Sequence, residues 1–340
     1  MKKYLDIWTA QKLGVSTLSR EAIEAYQLKK IRETVRWAMA QSPFYKRLYA
    51  GMQVESWEDF HRLPLVSPAD VCRHGEDMVC VPQSRISRIV TMATSGTEGA
   101  PKRISFTEED QELTIDFFHN GMQLLTDPSD TVLILMPCRR PGSIGVLLKE
   151  GLERAGTEAI AYGLPDGTDD RRILQLMEER QVSCVVALAT QLAELARQSD
   201  GYHINLKTVL LSAEYVSEES RRAIADAWGC RIFEHYGMTE MGLGCAVSCP
   251  SLSGCHIRES DLYLEIIDPQ TGQVLPDGEE GEIVFTTLTR KGMPFIRYRT
   301  GDRSSFMTEP CSCGSLLKRL SRVGDRARKK GAWKQEREKP

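Results

Sequence analysis

Apolar residues at Ile23, Tyr26, Leu28, Ile31, Val35 and Ala38 recur at helical spacing across residues 21–41. They predict one amphipathic helix, which Ser42-Pro43 then breaks. Leu63-Pro64-Leu65-Val66-Ser67-Pro68 is a Pro-punctuated connection with Ser67 placed to cap a short helix. Further along, strand and helix signals alternate. Continuous apolar runs predict strands at 131–137, 157–161, 183–189, 208–212 and 231–236. Amphipathic stretches predict helices at 143–155, 171–180, 191–198 and 217–228. Strands that are apolar throughout, each followed by a helix, imply a mostly parallel sheet covered on both faces. After Gly244 the pattern changes. Residues 262–268 and 280–288 read as strands joined by turns at Asp268-Pro269 and Pro276-Asp277-Gly278. The expected fold is therefore α/β. An α/β core with an N-terminal helical segment spans 1–244, a β-rich subdomain spans 245–325, and a basic tail over 326–340 reads as disordered.

A length of 340 residues fits two domains or lobes. With 41% hydrophobic and 27% charged residues and a net charge of −3, nothing points to nucleic acid as a partner. No apolar run approaches the ~18–20 residues that span a bilayer, and Met1-Lys2-Lys3-Tyr4-Leu5-Asp6 has no apolar signal region. The expectation is a cytoplasmic protein without a membrane partner. Ten cysteines are many for such a chain. Cys72, Cys80, Cys138, Cys184 and Cys230 are scattered and read as small buried thiols. The others form two groups, Cys245/Cys249/Cys255 and Cys311/Cys313. A reducing compartment argues against disulfides. Cys249 and His256 flank a Gly/Ser-rich loop, and Cys311-Ser312-Cys313-Gly314 adds a C-x-C knuckle. Thiolates with an imidazole suit tetrahedral zinc; reduced, unliganded thiols are the other reading, and Cys245 or Cys255 could replace one ligand.

The candidate chemistry begins at Thr94-Ser95-Gly96-Thr97-Glu98-Gly99-Ala100-Pro101-Lys102. Glycine lets backbone N–H groups converge on an anion, hydroxyls add donors, and lysine supplies charge, so this loop can wrap a polyphosphate. The Walker A spacing is missing. Ala213-Glu214 follows one buried strand, where open α/β sheets place ligands. His235-Tyr236-Gly237-Met238-Thr239-Glu240 follows the next, and Tyr298-Arg299-Thr300-Gly301-Asp302 closes the β-rich region, with Arg322 shortly beyond. Asp302 can bind two ribose hydroxyls, and Glu240 can hold Mg²⁺ against phosphates.

In order and spacing these segments resemble the adenylate-forming acyl-CoA synthetases, most closely the phenylacetate–CoA ligase branch. The break at Ser42-Pro43-Phe44-Tyr45, the run Gly281-Glu282-Ile283-Val284-Phe285-Thr286-Thr287-Leu288 and Met293-Pro294-Phe295-Ile296-Arg297-Tyr298 carry the match further, from about residue 20 to about 325. The resemblance implies that ATP activates a carboxylic acid, aryl or acyl, to an acyl-adenylate, which then passes to coenzyme A. It implies that Ser95, Gly96, Thr97, Gly99 and Lys102 cradle the β- and γ-phosphates. Glu214 and Tyr236 would flank the adenine beside Gly237 and Met238, and Thr239 would donate to the α-phosphate. Glu240 would bind Mg²⁺, Asp302 would grip the ribose, and Arg322 would sit near a hinge. The acyl pocket would come from 137–145, 187–190 and 236–244, with Arg139 and Arg140 either facing a second anionic group or solvated. A zinc held by Cys249, His256, Cys311 and Cys313 and a homodimer also fit that branch. Two departures stand out, the Arg139-Arg140 pair in the acyl-pocket segment and the end of the chain. The family's C-terminal lid, with its lysine, is expected to be missing, since Arg322-Val323-Gly324-Asp325 falls where its hinge should begin. The alternative function is an accessory nucleotide- or acyl-binding protein that needs a separate lid subunit.

Overall fold

Residues 3–92 and 101–324 are described in a computed structural model of the chain. It opens with α1 (Tyr4–Leu13) and α2 (Arg20–Gln41). Ser42 ends α2 with an extended backbone, and its hydroxyl accepts from the Tyr45 amide to start α3 (Pro43–Leu48). α4 (Trp57–His61) and α5 (Pro68–His74) each begin with a capping box, Ser56 with Asp59 and Ser67 with Asp70. The Ser67 cap is therefore where the sequence predicts it. β1 (Arg88–Met92) and β2 (Lys102–Phe106) pair antiparallel, with Met92 opposite Lys102. α6 (Glu108–Met122), boxed by Thr107 and Asp110, leads into the alternating region.

That region runs β3 (Thr131–Ile134), α7 (Ile144–Arg154), β4 (Glu158–Ala161), α8 (Asp170–Glu179), β5 (Cys184–Ala187), α9 (Ala189–Arg197), β6 (Thr208–Leu211), α10 (Glu218–Trp228) and β7 (Arg231–Tyr236). Each predicted strand and helix is present, with its ends moved by a few residues. The strands pair in parallel in the order β4-β3-β5-β6-β7, and the helices cover both faces.

The sheet continues past Gly244. β8 (Ala246–Ser248) and β9 (Cys255–Ile257) add antiparallel to the edge offered by β7. β10 (Leu262–Ile267), β11 (Gly281–Thr287) and β12 (Tyr298–Ser304) form a separate antiparallel sheet. β13 (Arg319–Leu320) then returns to pair with β9, giving eight strands in the large sheet. Residues after Gly244 are thus shared between two sheets. The reason lies in burial: β11 is buried at every position and packs its core against α2 and α3 through Ile31, Tyr45, Tyr49 and Phe285. The large sheet has its own apolar layers on its two faces.

One buried ion pair locks the small sheet to the N-terminal helices. Arg297 has a left-handed backbone (φ 48°), and its amide bonds the Thr286 hydroxyl at 2.9 Å. Its guanidinium donates to Glu265 at 2.8 Å and to the carbonyls of His61 and Leu63, ending α4 against β10. Glu265 is fully buried, and burial raises its carboxyl pKa against the opposing pull of Arg297. Removing one partner of such a pair strands a charge, so Arg297→Met is expected to cost about 3–5 kcal/mol. Urea unfolding checks it: the midpoint should drop in Arg297→Met and recover in part in Arg297→Met/Glu265→Leu, where no charge is left unpaired.

Candidate active site

The carboxyl ends of β6 and β7 open into a cleft of about 680 Å³, the position where open α/β sheets hold ligands. Glu214, Tyr236, Gly237, Met238, Asp302 and Arg322 all line it, so these predicted nucleotide contacts converge on one place. Ala213, just past β6, is left-handed (φ 69°), a strained turn that swings Glu214 to the rim. There the Glu214 carboxylate accepts from the Thr190 hydroxyl at 2.9 Å. Gly237 permits the next turn: a Cβ there would stand 2.7 Å from the Leu243 carbonyl oxygen and 2.9 Å from Gly244 Cα.

Tyr236 and Asp302 meet across the cleft, the phenol donating to the carboxylate at 3.0 Å. Burial, then the Asp302 charge, hold the phenol pKa well above its usual range, so Tyr236 stays a donor. Arg322 lies over the Tyr215 ring at 4.5 Å, donates to the Val216 carbonyl, and pairs with Glu218 at 3.2 Å. It belongs to the cleft wall as well as to the segment that leaves it.

Thr239 starts a short 3₁₀ turn (Thr239–Met241) that carries Glu240 inward, where it is 1% exposed. Lys102, at the start of β2, forms an ion pair with Glu240, and the Tyr298 phenol donates to the same carboxylate at 3.0 Å. Arg290 supports the turn from below through the Glu240 carbonyl at 2.8 Å. The residues assigned to phosphate and to magnesium are therefore bonded to each other. Ser95, Gly96, Thr97 and Gly99 lie outside the described residues, as does the 326–340 tail; Met92 and Lys102 flank the loop side by side.

A second, apolar chamber abuts the cleft at His235, which borders both. Ile144 comes from the predicted 137–145 stretch, but Phe117, Phe118, Gly121 and Met122 of α6 and Ser212 were not anticipated. Their i, i+1, i+4, i+5 spacing is the signal that marks this face of α6. Arg139 and Arg140 are exposed and do not line the chamber, which favours the solvated reading.

Away from the cleft, Cys249, His256, Cys311 and Cys313 present donor atoms within 4.8 Å of one another. Cys249 and Cys311 sulfurs are 3.6 Å apart, and His256 Nε2 is 3.3 Å from the Cys313 sulfur. His256 Nδ1 donates to the Leu317 carbonyl at 3.0 Å, which aims Nε2 at the thiols. Burial raises the Cys249 thiol, yet hydrogen bonds from His256 and Ser251 outweigh it and bring the pKa down to about 6. This donor set fits a tetrahedral metal. Cys245 sits in the core instead, and Cys255 faces the cleft.

A parallel α/β sheet whose carboxyl edge faces a small antiparallel sheet across such a cleft is the fold of the adenylate-forming ligases. A 2-hydroxyisobutyryl-CoA ligase solved with 2-HIB-AMP and CoA superposes with a TM-score of 0.80 at 25% identity, over 91% of this chain and 69% of that one. The chain belongs to the AMP-binding enzyme family, whose model matches residues 19–288. Phenylacetate–coenzyme A ligase of Thermus thermophilus is 29% identical over 91% of this chain and 71% of its own length. The Escherichia coli enzyme of that name is 27% identical over 92% and 73%.

His235 gives the site a pH signature. Its Nδ1 meets the Ser212 hydroxyl at 2.9 Å, and Nε2 is buried with no partner among the described residues. Burial, then the nearby Arg258 charge, lower its pKa from 6.5 to about 4. The unfolded chain therefore takes up a proton that the native state refuses between those values. Stability is complete above pH 6.5 and falls as pH drops toward 4, by an amount on the order of 3 kcal/mol. Thermal melts across this range should show the fall, and His235→Gln should flatten it.

Proposed function

We propose that this chain is an AMP-forming acid–CoA ligase that activates a carboxylic acid with ATP and passes the acyl group to coenzyme A. The observation that carries the reading is the convergence of Glu214, Tyr236, Gly237, Met238 and Asp302 on one cleft, with Thr239, Glu240 and Lys102 on the adjoining turn and strand. The relatives' shared name and the CoA-bound neighbour support the same chemistry. In the first half-reaction a substrate carboxylate oxygen bonds to the α-phosphorus, and pyrophosphate leaves with the electron pair of the broken P–O bond. In the second, a thiol sulfur bonds to the acyl carbon and AMP leaves.

Each residue has a task that needs little motion. Tyr236 offers its ring face to adenine while its phenol steadies Asp302 for the ribose hydroxyls. Thr239 donates toward the α-phosphate oxygens, where negative charge builds. Glu240 would hold Mg²⁺, which supplies charge neutralisation on the phosphates. Lys102 would then exchange the carboxylate for phosphate oxygens, joined by Ser95, Gly96, Thr97 and Gly99. Cys249, His256, Cys311 and Cys313 would hold a structural Zn²⁺ that ties the β8–β9 connection to the segment before β13 and takes no part in the reaction.

Pyrophosphate release from ATP with a panel of carboxylic acids, with and without an added lid domain from a relative, tests the reading. Lys102→Ala and Asp302→Ala should each lower kcat/KM by about 10²-fold or more, the usual loss when a charge-stabilising contact is removed. No release with any of the acids under either condition, alongside measurable ATP binding, would favour the accessory binding role. For the metal, protein purified without added zinc is expected to hold about one Zn²⁺ per chain and Cys311→Ser far less. A metal-free wild type would end the zinc assignment.

A further inference from the structure

Three consecutive carbonyls of the turn that carries Glu240 are each held by a buried side chain. Arg290 donates to the Glu240 carbonyl at 2.8 Å, Arg258 to the Met241 carbonyl, and the Thr114 hydroxyl to the Gly242 carbonyl at 2.9 Å. Within the turn, the Gly242 amide bonds the Thr239 carbonyl at 3.0 Å. A buried carbonyl stripped of its donor is costly, so these bonds resist rotation of the peptide units on which Glu240 is mounted. None of the three donors lines the cleft itself.

Arg290 reaches further than the other two. A second nitrogen of its guanidinium donates at 2.8 Å to the carbonyl of Ser105, three residues past Lys102 on β2. One side chain therefore joins the two backbone segments that carry the Lys102–Glu240 ion pair. The guanidinium lies 4.3 Å from the Phe106 ring centre and 5.4 Å from that of Phe295, in a residue only 5% exposed. Asp110 accepts from the Lys291 and Gly292 amides at 3.0 and 3.1 Å, which anchors the chain just past Arg290. Burial lowers the Arg290 pKa to about 10 against the opposing pull of Asp110 and Glu240, so it stays cationic at neutral pH. A lysine would keep that charge but lacks the planar fork that meets two carbonyls from one position.

We propose that Arg290, with Arg258 and Thr114 beside it, is a positioning residue for the metal- and phosphate-binding end of the site. It holds the strand of Lys102 and the turn of Glu240 at one spacing, and so sets how tightly ATP binds together with Mg²⁺. The assignment rests on the adenylate-forming reading above and deepens it. Glu214, Tyr236 and Asp302, the proposed adenosine contacts, line the cleft without Arg290. Loss of its fork should therefore weaken the phosphate end and spare the adenosine end.

Calorimetry with adenosine, and with ATP over a series of Mg²⁺ concentrations, tests this without an acid substrate. Arg290→Lys is expected to bind adenosine as wild type does and Mg²⁺–ATP about ten-fold more weakly, the effect of one lost hydrogen bond to a charged group. Thr114→Val removes only the Gly242 support and should shift Mg²⁺–ATP affinity in the same direction by less. It carries the test if Arg290→Lys unfolds, which melting curves report. Met177→Ala, a fully buried position on α8 in a different apolar layer, controls for destabilisation alone. It should lower the melting temperature and leave both affinities unchanged. A folded Arg290→Lys with wild-type Mg²⁺–ATP affinity would overturn the proposal. So would equal losses for adenosine and Mg²⁺–ATP, or the same loss in Met177→Ala. Should Arg290→Lys unfold, an unaltered Thr114→Val would overturn it as well. Wild type that binds adenosine and gains nothing from the phosphates and Mg²⁺ would overturn the metal and phosphate assignment, whereas binding of neither ligand would overturn the nucleotide reading with it.

Discussion

The pairing of Arg297 with Glu265 is the constraint on which the cleft depends. Both groups are fully enclosed, and an enclosed charge is tolerated only when paired and hydrogen-bonded. Arg297 meets this condition by bonding Glu265 on β10 together with the carbonyls of His61 and Leu63. One side chain thereby fixes the N-terminal helices, the small sheet and the start of β12 in a single arrangement. The next residue, Tyr298, is aimed at Glu240, and Asp302 further along the strand is aimed at Tyr236. Two cross-sheet contacts of the cleft are thus set by an interaction that lies outside it.

The cleft also balances its own charges. Glu240 is buried, and without a cation it would carry the full desolvation cost of a carboxylate. Lys102 and the Tyr298 phenol supply the compensation. If Lys102 meets phosphate and Glu240 holds magnesium, as proposed above, nucleotide entry would exchange one ionic partner for another.

How much of this was readable beforehand follows from where each feature is encoded. The strands from β3 to β7 are buried on both faces, and the helices between them carry amphipathic stripes; both patterns are written in contiguous residues. The residues proposed to bind nucleotide sit within a few positions of strand ends, and Glu214, Tyr236 and Asp302 line one cleft. The sharing of the residues after Gly244 between two sheets was not legible. β8 and β9 are three residues each, too short for a periodicity, and their partner is the edge of β7. Nor was the Lys102–Glu240 pair, because 138 positions separate its members and only the fold brings them together. The cysteine cluster lies between these cases. Its C-x-C knuckle is local, whereas the pairing of that knuckle with Cys249 and His256 depends on β13 docking beside β9.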